Sequence, residues 1–240
     1  MDTAAQDQTA DLTLNSADHG GSDTFQGLLL EGSSDVGVIL IHGRSDTHAD
    51  SPPVGLLRRS LNEPGYSTLS IARPDPKAGD EWEGYDEGPG YDPYVFPESY
   101  ARTRTAMAEL AKHGAKKVLL LGFSMGSRNL SAFLSEEDGK GPLPVAGFLA
   151  LGLGTNGNGL VSGLTTIGKV KVPVYDIFGK GDGNAGKDAA ERQSLYEAGP
   201  GSSYTQIKIG TDETPHPMTG AEDEMMDVVG KAAQALAPTS

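Results

Sequence analysis

The sequence predicts an α/β fold in which a mostly parallel central sheet is flanked by helices on both faces. Three observations carry this. Apolar runs of strand length alternate with segments whose apolar residues recur at helical spacing. Two of the runs, 36–41 and 118–121, are almost wholly apolar, as in strands buried on both faces of a parallel sheet. A G-x-S-x-G turn, Gly122-Phe123-Ser124-Met125-Gly126, stands between the second run and a helical pattern in which Leu130, Phe133 and Leu134 share one face.

Taken in order, residues 1–22 read as a flexible lead-in, with an edge strand at 11–15 as the alternative. Residues 23–240 read as a single domain. Residues 24–31 form a strand, 32–35 a turn and 36–41 a strand ending in His42-Gly43-Arg44. A helical stripe (Val54, Leu57, Leu61) covers 53–61 and is broken by Pro64-Gly65. The strand 67–72 leads into a long loop, 74–97, rich in Gly, Pro and acidic residues, and then a helix spans 97–112. After the G-x-S-x-G turn and its helix come a strand at 145–151, a Gly-rich connection at 152–171 with room for one or two helical turns, and a strand at 172–178. A helix at 188–198, a strand at 204–209 and a helix at 221–236 close the chain.

Composition bounds the function. Acidic residues outnumber basic ones 33 to 19, for a formal charge of −14, which argues against nucleic acid as a partner. The same excess suits a well-solvated surface or a saline habitat. No run of 18 apolar residues is present, so no membrane span is expected. The absence of Cys excludes disulfides, thiolate catalysis and Cys-ligated metal sites. Residues 1–22 lack the basic start and apolar run of a signal peptide, so a cytoplasmic location is expected; it becomes periplasmic or secreted if a leader has been removed. Monomer and dimer are both left open.

In sheets of this kind ligands bind beyond the carboxyl ends of the strands, so each candidate is judged by its place at a strand end. Ser124 stands at one, on a strand–turn–helix that holds a hydroxyl clear of the sheet as a nucleophile; the alternative is an ordinary helix N-cap serine. Gly122 and Gly126 flank it where strand and helix nearly touch and a Cβ would collide. Of five histidines, His19 lies in the lead-in and His48 in a loop, and His113 ends a helix, where a cation suits the dipole. His216 follows the last strand between Pro215 and Pro217, which restrict the backbone, and is the candidate general base. Asp182 lies just past the strand 172–178, between serine and histidine in chain order, and is the candidate acid. Asp176 is its rival, but mid-strand it is expected to pair with a buried Arg or a backbone group. Asn156 cannot supply the charge. The backbone N–H groups of Met125 and Arg44 are the candidate oxyanion donors, with His42 bracing the second loop.

With His42-Gly43, Gly122-Phe123-Ser124-Met125-Gly126, Gly179-Lys180-Gly181-Asp182 and His216 in that order, the chain resembles the α/β-hydrolase fold superfamily from about residue 24 to 236. The stretches 41–44, 57–61 and 66–71 are similar to compact bacterial hydrolases. The resemblance implies a serine hydrolase without cofactor, with Ser124, Asp182 and His216 as its triad. A connection of only 152–171 is too short for a helical cap, so no large cap domain is expected. The expected activity is cleavage of small-molecule carboxylic esters with short to medium acyl chains through an acyl-enzyme. A peptidase, thioesterase or acyltransferase of the same fold, and a non-catalytic binding protein, are the alternatives. Trp82, Tyr85, Tyr91 and Phe96 of the loop 74–97 are candidates for the substrate pocket or else pin the loop to the domain. Arg44, Arg73 and Arg128 hold an anionic group or, preferably, pair with Asp46, Asp75 or Asp176. The acidic residues of that loop match no calcium motif, and no metal is expected.

Overall fold

The computed structural model describes residues 8–13, 24–43, 50–74, 95–154 and 162–239. In chain order its strands are β1 (Gln8–Thr13), β2 (Thr24–Leu30), β3 (Val36–Ile41), β4 (Ser67–Ile71), β5 (Lys117–Phe123), β6 (Val145–Leu151), β7 (Val174–Gly179) and β8 (Tyr204–Ile209). The helices are α1 (Val54–Asn62), α2 (Val95–Lys112), α3 (Met125–Glu136), α4 (Gly163–Ile167), α5 (Ala189–Glu197) and α6 (Glu222–Leu236). The eight strands form one sheet in the order β1-β2-β4-β3-β5-β6-β7-β8. Strands β3 to β8 are mutually parallel, and β2 is antiparallel to both β1 and β4.

Alternation along the strands divides the interior into two cores. Ile39 and Ile41 of β3 and Val118 and Leu120 of β5 face the core closed by α2, α3, α4 and α5. Val36, Val38 and Leu40, with Leu119, Leu121 and Phe123, face the one closed by α1 and α6. Both faces of the central strands are therefore dry, which is why they read as continuous apolar runs. The chain leaves β3 through α1 to reach β4 on one side. It then returns through α2, on the opposite face, to β5 on the other side. The gap between the ends of β3 and β5 is thus the topological switch point, where such sheets hold ligands.

Several expectations shift at their edges. Of the two readings for the start of the chain, the edge strand is present but three residues earlier than 11–15, residues 8–13 pairing with β2 from Gln8↔Leu29 to Thr13↔Thr24 with Leu12 buried. One buried leucine among polar neighbours is too little pattern to fix its bounds. Helix α2 begins two residues before the expected 97, so Phe96 sits in its first turn and not in the loop. Strand β7 starts at Val174 and not at 172, because Pro173 has no N–H to pair with its neighbour. The connection from β6 to β7 contains the five-residue α4, and no large cap domain is present among the described residues. No described helix is long and apolar enough to cross a membrane.

Asp176, mid-way along β7, is fully buried against Arg192 of α5. Arg192 Nε and Nη2 donate to Asp176 Oδ2 at 2.9 and 2.7 Å, and the same oxygen accepts from the Tyr204 hydroxyl at 2.6 Å and Gln206 Nε2 at 3.0 Å. Burial pushes the Asp176 carboxyl up, against the opposing pull of Arg192, Tyr204 and Gln206. Of the two partners expected for Asp176, a buried arginine or a backbone group, it meets a buried arginine, and that arginine is Arg192. Removing one partner strands the other without solvent. In urea unfolding, Arg192→Met is expected to cost about 3–5 kcal/mol, and pairing it with Asp176→Leu should recover part of that loss. A single variant as stable as the wild type would contradict this reading.

Candidate active site

Ser124 follows β5 directly and precedes the first residue of α3. Its φ of 53° and ψ of −112° are strained for a residue with a side chain, a cost of about 1–3 kcal/mol that surrounding contacts must offset. The Ser124 N–H donates to the Leu151 carbonyl at the end of β6 at 2.8 Å, and its own carbonyl accepts from the Arg128 N–H at 3.2 Å. The Ser127 hydroxyl lies 2.6 Å from the Gly122 carbonyl and 2.8 Å from that of Leu151, donating between them and pinning α3 to both strand ends. A Cβ on Gly122 would strike the Gly126–Ser127 backbone, as expected. One on Gly126 would strike the Ile41 and His42 carbonyls, so the second glycine is required by the neighbouring strand β3. The N-cap alternative finds no support, since the Ser124 side chain makes no capping hydrogen bond. The Met125 N–H lies in the first turn of α3, where N–H groups have no partner within the helix and the helix dipole is positive.

Asp182 and His216 are brought together by two loops joined through their backbones. The Lys180 N–H donates to the Ile209 carbonyl and the Gly181 N–H to that of Thr214, both at 3.0 Å. Side chains at 179 and 181 would block this approach: a Cβ on Gly179 would stand 2.7 Å from the Thr214 oxygen, and one on Gly181 2.5 Å from that of Asp212. His216 lies in a turn closed by the Met218 N–H on the Pro215 carbonyl at 2.8 Å. His216 Nδ1 is 2.7 Å from Asp182 Oδ2. With a carboxylate accepting there, the neutral form of the ring has its proton on Nδ1 and the lone pair on Nε2. Asp182 Oδ1 accepts from the Asn184 and Ala185 N–H groups at 2.9 and 3.0 Å. Burial pushes the Asp182 carboxyl up, but the His216 hydrogen bond, the two N–H groups and the imidazole charge outweigh it and hold the carboxyl below its ordinary value.

The imidazole is three-quarters covered, with its ring centroid 5.2 Å from that of Phe123, the residue before Ser124. Gly152, the first residue after β6, lies against the same ring. The Asp182–His216 pair and the peptide of Ser124 therefore lie at the carboxyl ends of β5, β6 and β7. Among the described residues Ser124 Oγ and His216 Nε2 share no hydrogen bond, a contact that commonly tightens only with substrate present.

The remaining candidates fall as follows. His42 is buried, with Nδ1 donating to the Gly43 carbonyl at 2.8 Å and Nε2 accepting from the Arg73 N–H at 3.1 Å, the bracing role expected of it. His113 contacts Glu31 at 2.8 Å and Glu109 at 3.4 Å, and it precedes the amino end of β5, whereas Ser124 follows the carboxyl end. Arg73 Nε donates to Asn129 Oδ1 at 3.2 Å. Arg44, Trp82, Tyr85 and Tyr91 lie outside the described residues, as do Asn156 and the side chain of Phe96. Among the described residues no cluster of His, Asp and Glu is arranged to hold a metal. An open cavity of about 670 Å³ is lined by Thr211, Glu213, Thr214, Thr219 and Glu224, with none of the three triad candidates among its walls. Sequence reasoning passed over the reason for Gly179 and Gly181, whose G-x-G spacing at a strand end was the available signal. It also passed over Ser127, Gly152 and Phe123, whose roles depend on contacts remote in sequence.

By sequence, no family model and no curated protein matches the chain. By structure, it is similar to an esterase of Pyrococcus furiosus, with a TM-score of 0.68 at 16% identity over 97% of this chain and 93% of that one. A dienelactone hydrolase from Anabaena variabilis gives 0.68 and 16% over 97% and 99%. A cold-adapted esterase from an Arctic intertidal metagenomic library gives 0.69 and 16% over 98% and 96%. At these identities the likeness establishes the architecture: the chain has the α/β-hydrolase fold.

The charge on Asp182 has a measurable consequence. Its folded pKa lies below the ordinary 3.8, so its contribution to stability is fully present above that value and is lost as pH falls through the lower folded one. Unfolding free energies of wild type and Asp182→Asn, followed from about pH 6 down to about pH 2, should converge as the pH drops. A difference that stays constant throughout would contradict the assignment.

Proposed function

We propose that this chain is a serine hydrolase that cleaves carboxylic esters through an acyl-enzyme, with Ser124 as nucleophile, His216 as general base and acid, and Asp182 as the group that orients and charges the imidazole. The observation that carries this reading is the 2.7 Å Asp182–His216 hydrogen bond formed beside a serine held at φ 53° on a strand–helix corner. His216 Nε2 takes the Ser124 proton as Oγ attacks the ester carbonyl carbon. The oxyanion is held by the Met125 N–H at the start of α3, with the N–H of Arg44, which follows β3 in the chain, assigned as the second donor. The imidazolium, steadied by the Asp182 carboxylate, then protonates the departing alcohol as the carbon–oxygen bond breaks. Water enters, gives its proton to His216 and attacks the acyl carbonyl. Collapse of that second tetrahedral intermediate returns the proton to Ser124 and releases the acid.

Short to medium acyl chains suit a fold with no large cap domain among the described residues, and small-molecule esters are the substrate class. The pocket is assigned to Trp82, Tyr85, Tyr91 and Phe96, which lie between β4 and the first turn of α2 in chain order. The similar structures named as esterases and as dienelactone hydrolases support hydrolysis of ester bonds. No cofactor has a part in these steps.

Fluorophosphonate labelling followed by intact mass measurement should add one adduct to the wild type and none to Ser124→Ala. On p-nitrophenyl acetate, Ser124→Ala and His216→Ala should each lower kcat by about ten-thousandfold or more. Adduct formation that survives Ser124→Ala would remove the nucleophile assignment. Labelling with turnover of thioesters or aminoacyl amides, but not of simple esters, would keep the triad and change the substrate class.

A further inference from the structure

Strand β6 supplies no candidate catalytic side chain, yet the triad is fixed to its end. The Leu151 carbonyl accepts the N–H of Ser124 at 2.8 Å and faces the Ser127 hydroxyl at 2.8 Å. The first bond holds the nucleophile's own peptide in its strained conformation, and the second keeps α3 from drawing away. On the other side of the same peptide bond, the Gly152 N–H donates at 2.8 Å to the Ile177 carbonyl of β7, the strand that leads to Asp182. The chain turns at Gly152 with a φ of 56°, which places its Cα against the His216 imidazole. A Cβ built there would stand 2.8 Å from His216 Cε1, 3.2 Å from Nδ1 and 3.5 Å from the Phe123 ring.

We infer that the Leu151–Gly152 corner is a positioning element for the reaction proposed above, seating the nucleophile through the Leu151 carbonyl and the base through the missing side chain of Gly152. The inference rests on that reading of Ser124 and His216. Gly152 is required for alignment as well as for its backbone conformation. Any side chain there presses on Nδ1 and Cε1, the edge of the ring that bonds Asp182. Asp182 cannot follow a displaced ring, because its other oxygen is held by the Asn184 and Ala185 N–H groups. A ring pushed off this seat loses Asp182 or its approach to Ser124. Because the corner does not touch substrate, the loss falls on kcat and leaves KM nearly unchanged.

The test compares wild type, Gly152→Ala, Ser127→Ala and Gly114→Ala. Gly114 also has a positive φ, 90°, but nothing lies near a Cβ built on it, so that variant reports the backbone cost without the collision. Each is assayed for kcat and KM on p-nitrophenyl acetate, for Tm, and by proton NMR for the downfield resonance of His216 Nδ1–H bonded to Asp182. For Gly152→Ala, kcat should fall about ten- to hundredfold with KM within about threefold, and the downfield resonance should shift or vanish. Its Tm should fall at least as far as that of Gly114→Ala, which keeps full kcat. Ser127→Ala, which loosens only the serine side, should lose about three- to tenfold in kcat with the resonance retained. A folded Gly152→Ala with wild-type kcat and an unmoved resonance overturns the inference. If Gly152→Ala does not fold, Ser127→Ala decides, and an unchanged kcat there overturns it. A wild type that cleaves no ester sinks the proposed function instead, and the resonance still reads whether Gly152 seats the ring.

Discussion

The constraint on which the site depends is the approach of α3 to the ends of β3 and β5, close enough that neither Gly122 nor Gly126 has room for a Cβ. A helix set that near the strands leaves one residue to make the whole change of direction, and Ser124 makes it at φ 53°. The strain is about 1–3 kcal/mol. Three hydrogen bonds oppose it, to the Leu151 carbonyl, from the Arg128 N–H and through Ser127, each contributing about 1 kcal/mol. What the arrangement gains is geometry: a hydroxyl at the carboxyl edge of the sheet, followed at once by the positive end of α3.

The other half of the site depends on a difference between two aspartates six residues apart. Asp176 is locked mid-strand under Arg192, Tyr204 and Gln206, in full burial that pushes its carboxyl up. It holds α5 to β7 and has no route to solvent. Asp182, just beyond the end of that strand, meets two backbone N–H groups and an imidazole, and these hold its carboxyl below the usual range. Environment separates a structural carboxylate from one able to steady a developing imidazolium. The separation rests on the glycines of the 179–182 turn, which let the 212–215 backbone lie directly on it.

Much of this was legible in the chain. Continuous apolar runs at 36–41 and 118–121 announced strands buried on both faces, and chain order with strand-end position selected Asp182 and His216 over Asp176 and His113. Local signals failed where the cause is remote. Nothing near Gly152 in sequence tells of an imidazole 64 residues on, and nothing near Asp176 names Arg192 rather than another arginine as its partner. Gly126 was read as clearing its own strand, and what it clears is the end of β3. The edge strand at 8–13 was weakly marked because one face of an edge needs few apolar residues.

The central claim is that Ser124, His216 and Asp182 act as one unit, and the most direct measurement of it is coupling. If kcat/KM on one ester is determined for Ser124→Ala, His216→Ala and the double variant, the account predicts that the double variant loses little more than either single one, because a proton acceptor is idle without its hydroxyl and the hydroxyl inert without its acceptor. Losses that multiply would mean two independent contributions, and the triad reading of this site would be wrong.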